Sequence, residues 1–457
     1  MHRNLTPGTQ IKLLGRVLSG ALLVAGGSGL MAQDNGQGTY QGPGVSSPGV
    51  GTIGSRSGEQ VDLRFFFGVS GVADRTNVPS VTDSKGNLVR APELYGIEAQ
   101  GGVYGVHSWK RSQLGLNYAG SYTRYLNSDA YNSTNHAFTL GYTDQLSRRL
   151  KLDLRQSLGS LTYGTGLVAN AASTDLNTSF TPATRLFDSR TYYLESTVSA
   201  TYLQSTRTFY TAGASTFVQK LQTEGLSDPW GYSFNGNMMR RLSKASTLGV
   251  TYLYSHFVYA TSSSKADSQT FQGVYATGLG RFWTLSLEAG ATIINGDGLI
   301  TVTLNPVLAA VFGQPTITGV STFRTTFPSG MAALKRQFKH ASLGFNYYRG
   351  VNSGNGAYNT ARLDNSTASF SYTGLRKVNM GVEGNYFKIK SIGQNIGTYS
   401  TYSAGAGATY ALGRDMHLSL RYDYRDQQVD FSSYRFKGSR ATIGLIYSPG
   451  SLPLSLW

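Results

Sequence analysis

Hydrophobic and polar residues alternate along this chain in ribbons of about a dozen residues, the pattern expected of membrane-crossing strands. Residues 378–386 read Val-Asn-Met-Gly-Val-Glu-Gly-Asn-Tyr, and residues 416–424 show the same alternation. Because successive side chains of a strand point to opposite faces, each ribbon has one apolar and one polar face. Soluble sandwiches use this pattern over about five or six residues. Longer ribbons with aromatic ends, repeated along the chain, favour a membrane-spanning barrel.

The connections between the ribbons alternate in length. From Val61 onward the pattern predicts an all-β, transmembrane antiparallel up-and-down β-barrel of about eighteen strands, with sixteen as the alternative. Every tight turn contains Arg or Lys, whereas longer loops such as 125–134 are rich in Asn, Ser and Thr. Bacterial outer-membrane barrels have short periplasmic turns and longer outer loops. The predicted tight turns are residues 108–111, 146–149, 204–207, 240–244, 280–281, 335–337, 376–377 and 413–415.

The composition also favours a barrel over a soluble protein. Only 14% of the 457 residues are charged, against roughly 25% in soluble domains. No uninterrupted apolar run reaches the roughly 18–20 residues of a transmembrane helix, which leaves the closed barrel as the membrane-spanning class. The absence of cysteine excludes disulfides and thiol-based metal sites. The net charge of +16 does not indicate nucleic-acid binding, because many of the cations lie in the tight turns.

The N-terminus has the features of an export signal. Arg3, Lys12 and Arg16 precede an apolar stretch, and Ala32 is a candidate cleavage point, so residues 1–32 are predicted to be a signal peptide. The alternative is a short membrane anchor. The Gly/Ser/Pro-rich residues 33–60 are predicted to form a flexible periplasmic segment. The predicted barrel then spans residues 61–447, followed by a C-terminal extension at residues 448–457.

Two predicted loops are too long to be plain connectors. They span residues 164–190 and 295–327, and the second contains the apolar runs 299–304 and 306–312. The second loop either folds inward and narrows the lumen or extends two strands as a hairpin outside. Because its apolar content predicts packing against another surface, we favour inward folding.

Strand parity separates positions predicted to face lipid, such as Leu248, Val250 and Ile443, from charged positions predicted to line a pore. A charge facing lipid at the midplane costs about 2–4 kcal/mol, so the charged positions should face water. Their nearly balanced signs predict weak ion selectivity. The alternative is that these charges only pair within the wall. The pore-lining candidates are Asp62, Arg64, Glu98, Lys151, Asp153, Arg155, Glu195, Glu288, Glu383, Arg421, Asp423, Arg425 and Arg440.

Over residues 61–447 the chain resembles a Gram-negative outer-membrane β-barrel protein of porin type. Such barrels usually end in an aromatic residue with apolar alternate predecessors; Tyr447, Leu445 and Ile443 fit this pattern, although the chain continues to Trp457. Which aromatic guides assembly therefore stays open. The resemblance implies location in the cell outer membrane, contact with outer-membrane lipids and lipopolysaccharide, and recognition by the barrel assembly machinery.

A barrel of about eighteen strands is wide enough to leave an aqueous channel. The sequence therefore predicts passive diffusion of small hydrophilic solutes, with no cofactor, no metal and no nucleic-acid partner. One alternative is a barrel for polysaccharide or protein export that works with a periplasmic partner. A less favoured alternative is an outer-membrane hydrolase, for which His136 and His256 near the outer strand ends are the candidates. No Gly-x-Ser-x-Gly or His-Glu-x-x-His motif occurs, so we expect no enzyme.

Overall fold

The computed structural model describes most of the chain from Val61 to Ser448. Within this part, no helix is both long and apolar enough to cross a membrane; the one described helix is the 3-10 turn η1 (Asp129–Tyr131). The predicted signal peptide and periplasmic segment lie outside the described residues. The described residues are 61–75, 81–82, 88–89, 93–127, 129–162, 190–222, 226–260, 264–303, 316–354, 356, 359–393, 397–430 and 434–448.

Eighteen strands form one sheet that closes on itself. Each strand pairs antiparallel with its sequence neighbour, and β20 pairs back onto β1 from Phe67↔Tyr447 to Arg75↔Ser439. The barrel strands are β1 (Val61–Arg75), β4 (Glu93–Ser108), β5 (Ser112–Tyr125), β6 (Ser133–Ser147), β7 (Leu150–Leu161), β8 (Thr191–Leu203), β9 (Thr208–Leu221), β10 (Pro229–Arg241), β11 (Ser246–Tyr259), β12 (Ser264–Leu279), β13 (Trp283–Thr303), β14 (Thr316–Gln337), β15 (Ala341–Asn352), β16 (Ala361–Tyr372), β17 (Val378–Ser391), β18 (Thr398–Ala411), β19 (Met416–Val429) and β20 (Tyr434–Tyr447). The two-residue strands β2 (Val81–Thr82) and β3 (Leu88–Val89) form a separate hairpin.

The closed sheet confirms the predicted fold class. A closed barrel has no unpaired strand edge, which is the condition for a β-structure to cross a lipid bilayer. The shortest barrel strands have 12 residues, more than the roughly 9–11 residues that a tilted transmembrane strand requires. Eighteen strands are observed, so the sixteen-strand alternative is wrong.

The connections alternate in length around the barrel, and the short ones lie at one end. Serine hydroxyls brace two of the short turns, since Thr208 N donates to Ser205 Oγ and Ser246 N donates to Ser243 Oγ, each at 3.0 Å. One predicted turn is misplaced, because residues 335–337 belong to β14 and the chain reverses after them. The short connections are residues 109–111, 148–149, 204–207, 242–245, 280–282, 338–340, 373–377 and 412–415.

Strands β13 and β14 are longer than the others, with 21 and 22 residues. They remain paired out to Thr303↔Thr316, so residues 295–303 and 316–327 form an extended hairpin. The favoured expectation of a separate loop folded into the lumen is therefore wrong for these residues, and the hairpin alternative is observed. Continuous backbone pairing along the alternating run 299–303 explains the outcome. Residues 163–189 and 304–315 lie outside the described part of the chain.

Contacts made across the lumen identify the inner face of the wall. Tyr259 Oη lies 3.1 Å from Thr360 Oγ1, although β12 to β15 separate the two residues in the order around the barrel. Tyr259 therefore points inward. Because residues paired in register on adjacent strands share a face of the sheet, the inner positions of each neighbouring strand follow from its pairing. The opposite parity places exposed apolar side chains outside, including Val250 and Ile443 at 58% and 57% exposure. The apolar positions predicted to face lipid thus lie on the outer face.

Candidate functional site: the lumen wall

Arg421 organises one group of charges on the inner face of β17 to β19. Its Nη2 lies 2.5 Å from Glu383 Oε1 and 2.7 Å from Asp423 Oδ1, and its Nε donates to Asp423 Oδ2 at 2.8 Å. Gly405 stands between the two carboxylates in the register. A Cβ at Gly405 would lie 2.6 Å from Asp423 Oδ1 and 3.1 Å from Arg421 Nη2. The absence of a side chain there lets the guanidinium bridge both carboxylates.

Arg440 organises a second and more deeply buried group. Its Nη2 donates to Glu98 Oε2 at 2.5 Å, and its Nη1 lies 3.7 Å from Asp74 Oδ2. The hydroxyls of Thr123 and Tyr125 donate to Glu98 and Asp74 at 2.9 and 3.1 Å. The exposed fractions of the Arg440, Asp74 and Glu98 side chains are only 7%, 0% and 5%. These hydrogen bonds offset the large desolvation cost of burying three charges.

The two groups adjoin each other on the wall. Asp423 is the register partner of Arg440, so β17, β19, β20, β1 and β4 present one continuous set of inner charges. In this set four carboxylates surround the two guanidinium groups of Arg421 and Arg440. Sequence parity predicted all of these residues except Asp74. Asp74 lies an even number of residues from Asp62 on β1 and therefore faces the same side. This alternation could have identified Asp74 from the sequence.

The predicted group on β7 is more exposed to water. Lys151 Nζ lies 3.1 Å from Asp153 Oδ1, and each side chain is about one-third exposed. Thr143 Oγ1 also donates to Asp153 Oδ1, at 2.7 Å. Arg155 and, on β8, Glu195 share the inner parity. This group lies on a different part of the wall from the two arginine groups.

The remaining candidates fall at separate positions. Glu288 has the inner parity on β13, and no cation of the described chain lies within ion-pair distance of it. Arg425 shares the inner face of β19 with Arg421. Asp62 and Arg64 lie on β1, but their side chains are outside those that the structure describes. That all these charges line an open pore stays a prediction.

A crossing segment, comprising the described residues 353–354, 356 and 359–360, reaches over the lumen from the loop between β15 and β16. Ser227 N, before β10, donates to Gly356 O at 2.9 Å. Gly356 has φ of +88°, and a Cβ there would lie 3.0 Å from Leu221 Cδ1. Beside this contact, burial raises the pKa of the Asp228 carboxyl above its ordinary value. The segment therefore narrows the long-loop end of the barrel.

Aromatic and aliphatic side chains line the inner face beneath this segment. Phe217 and Phe257 have ring centroids 6.1 Å apart, and Phe257, Tyr259 and Ile294 are at most 1% exposed. Phe323 from the long hairpin packs against the same cluster. Tyr193 belongs to the same cluster, and Tyr348 packs against a second inner cluster that contains Leu363 and Tyr399. The cluster itself was missed, because its members come from separate strands between β6 and β13, and alternation along one strand does not show which inward side chains pack together.

The histidines considered for hydrolysis lie on the outer face. His136 Nδ1 is 3.0 Å from Tyr118 Oη, whereas Ser133 and Asn135 have the opposite parity and cannot assist it. His256 Nδ1 is 2.9 Å from Asp267 Oδ1, and Tyr232 stacks on His256 with centroids 5.1 Å apart. Within the described residues, no group of three His, Asp or Glu side chains could hold a metal ion.

No known protein family and no curated protein matches the sequence. Solved structures with similar folds include OccK2 (OpdF) of Pseudomonas aeruginosa in complex with glucuronate, at 13% identity and a TM-score of 0.40, covering 85% of this chain and 98% of that chain. OccAB1 of Acinetobacter baumannii is 10% identical with a TM-score of 0.39, covering 86% and 97%. A BenF-like porin from Pseudomonas fluorescens is 10% identical with a TM-score of 0.40, covering 86% and 100%. With similarity this low, the architecture of this chain is defined by its own strand pairing: it is a closed 18-strand antiparallel β-barrel.

Proposed function

We propose that this protein is an outer-membrane channel through which small hydrophilic solutes diffuse passively. The observation that carries the proposal is the closed 18-strand barrel with a polar inner face and an apolar outer face. Barrels of about eight strands are filled by their own side chains, whereas larger ones leave an aqueous lumen. Lumen charges of both signs, such as Lys151 and Asp153, then face the passing solute.

The crossing segment favours small solutes over exported polymers. Gly356 and Thr360 span the lumen to reach Ser227 and Tyr259, so a chain molecule would meet this barrier at the long-loop end. We therefore prefer the diffusion channel to the export barrel with a periplasmic partner. The outer membrane, reached after signal-peptide cleavage and with the barrel assembly machinery, is the location that this function requires.

The inner charges favour weak selectivity with a preference for cations. The two arginine groups contain more carboxylates than guanidinium groups, because Asp74 joins Glu98, Glu383 and Asp423. Rings of carboxylates favour cation passage through a pore. The nearby guanidinium groups reduce this effect, so we propose a modest preference and not a strict filter.

The decisive measurement is single-channel conductance in planar bilayers with neutral solutes of graded size. We expect steady open channels, a sharp size limit, and a reversal potential on the cation side in a salt gradient. Gly356→Val should raise the size limit, because a β-branched residue at positive φ cannot keep the crossing segment in place. A lumen that stays closed to ions and to every solute, in both proteins, would overturn the channel function.

A further inference from the structure

A groove runs across the outer face of β15 to β19. Its base is one register row, in which Phe345, Ala368, Gly384, Ala404 and Tyr424 lie side by side. Aromatic rings close the row at both ends and three small residues form its floor. The open groove has a volume of about 460 Å³.

The next outer row, two residues nearer the long-loop end, is formed mostly by tyrosines. Tyr386 and Tyr402 stack with ring centroids 4.6 Å apart, and Tyr402 is 57% exposed. Tyr347 continues this row on β15. Tyrosine combines an apolar ring with a hydroxyl and is enriched at membrane–water interfaces. The row therefore marks the level at which the outer face changes from hydrocarbon to polar surroundings.

Basic side chains occupy the outer face above the tyrosines. Arg349 and Lys388 flank Asp364 in the next row, and Arg362 pairs in register with Lys390 in the row beyond. Arg362 Nε lies 3.5 Å from Asp364 Oδ2, and Arg349 also pairs with Asp364. One carboxylate thus neutralises only part of the charge of these four cations.

The basic surface continues onto β20. Arg435 Nη2 lies 2.6 Å from Asp426 Oδ2, and Lys437 is the register partner of Asp426. In the described chain, Lys388, Lys390 and Lys437 have no carboxylate within ion-pair distance. On the outer face of β15 to β20, six cations exceed the two carboxylates Asp364 and Asp426 by four, which leaves a positive surface able to receive an anion.

We propose that this surface binds an anionic glycolipid of the outer leaflet, the lipid A part of lipopolysaccharide. Its phosphates lie among Arg362, Lys388 and Lys390, and an acyl chain lies in the groove over Gly384 and Ala404. Each row is two residues, or about 6.8 Å, from the next, so head and tail contacts follow in the order of a membrane lipid. Arginine and lysine bind phosphate through charge-assisted hydrogen bonds. We place the long-loop end at the outer leaflet, and this orientation rests on the outer-membrane location proposed above.

The outer face of β11 and β12, separated from the groove by β13 and β14, supplies a natural comparison. On β11 and β12 the outer face at the same end contains Tyr254 and His256, each of which hydrogen-bonds to Asp267. Lys265 on β12 and Lys220 on β9 are exposed there on strands that do not line the groove. These two lysines are matched in number and side-chain type to Lys388 and Lys390.

The test uses the full chain, purified in detergent, stripped of bound lipid and titrated with bisphosphorylated lipid A while native mass spectrometry counts bound molecules. The double variant K388Q/K390Q should lose roughly thirty-fold in affinity, as expected for two lysines beside anionic lipid. K220Q/K265Q should bind within about twofold of the unchanged protein, because its lysines lie outside the proposed site. Ala404→Phe should weaken binding with every lysine intact, since the ring fills the groove.

Three results would each overturn the proposal: equal losses in the two lysine pairs, undiminished binding by Ala404→Phe, or equal binding of dephosphorylated lipid A. Inorganic phosphate should not compete with lipid A for the site at matched phosphate concentration. Full competition would mean that the site binds a free anion and not a lipid. If K388Q/K390Q does not assemble, two other variants decide the outcome. K388R/K390R should retain lipid A binding, and Ala404→Phe should weaken it. Conductance of the same proteins separates this site from the channel, because a closed lumen leaves lipid binding unchanged.

Discussion

Two regions of the inner wall are built on different physical principles. On β17, β19, β20, β1 and β4, Arg421 and Arg440 hold four carboxylates, of which Asp74 and Glu98 are almost fully buried. Around β11, on the opposite side of the barrel, Phe217, Phe257 and Ile294 pack as a hydrophobic cluster. Charged groups resist burial unless they are paired, whereas apolar groups gain from burial against any close surface. The charged region is therefore complete within the wall, and the aromatic region needs the hairpin and loops that fold against it.

The largest expected effect comes from breaking the charged region at Arg440. Arg440→Met should destabilise the barrel by about 3–5 kcal/mol, because the carboxylates of Asp74 and Glu98 would stay buried without their cation. Urea unfolding followed by tryptophan fluorescence measures the change. The matched control is Arg435→Met on the same strand, where the 57% exposed guanidinium should contribute little. Equal stability of the two variants would show that the buried group is not structural.

The second effect tests the aromatic region. Phe257→Ala should destabilise by about 3 kcal/mol, because the 1% exposed ring leaves a cavity between Phe217 and its other neighbours. If the two regions are independent, the double variant with Arg440→Met should show additive losses within about 0.5 kcal/mol. A large coupling energy in the same urea experiment would contradict the division into two regions.

The sequence predicted the charged region better than the aromatic one, and the reason is physical. Alternation fixes parity, so Glu383, Arg421 and Asp423 were correctly placed on one face from strand pattern alone. The number of strands could also be predicted from the sequence, because turn residues separate the alternating segments. The alternation that places Leu248 and Val250 outside also turns Phe257 inward. It does not show that Phe217 and Ile294, on other strands, pack with Phe257.

The long hairpin and the crossing segment show a related limit. The apolar run 299–303 is compatible with a loop or with paired strands, and only its pairing with β14 decides between them. Gly356 O of the crossing segment accepts a backbone hydrogen bond from Ser227 N, and this contact has no sequence signature beyond the glycine itself. Contacts between segments so far apart in sequence depend on the closed barrel that brings them together.

A smaller effect should follow from loosening the crossing segment at Tyr259. Tyr259→Phe removes the hydroxyl that bonds Thr360 Oγ1 at 3.1 Å and leaves the packed ring in place. The expected loss is about 1 kcal/mol, together with more frequent openings in single-channel records. Thr360→Val, which removes the other partner, should give the same record, and the double variant should add nothing further. If both single variants open as often as the wild-type protein, this hydrogen bond does not hold the crossing segment in place.

The smallest expected effect is at Lys151, where an inner ion pair lies in contact with water. Lys151→Met should change the free energy of unfolding by less than about 1 kcal/mol, because both charges are about one-third exposed and Thr143 still donates to Asp153. High salt should reduce even this difference, since screening weakens exposed pairs more than buried ones. Urea titrations at low and high salt measure it beside Arg440→Met. A loss as large as that of Arg440→Met would mean that pairing, and not burial, sets the stability of the charged wall.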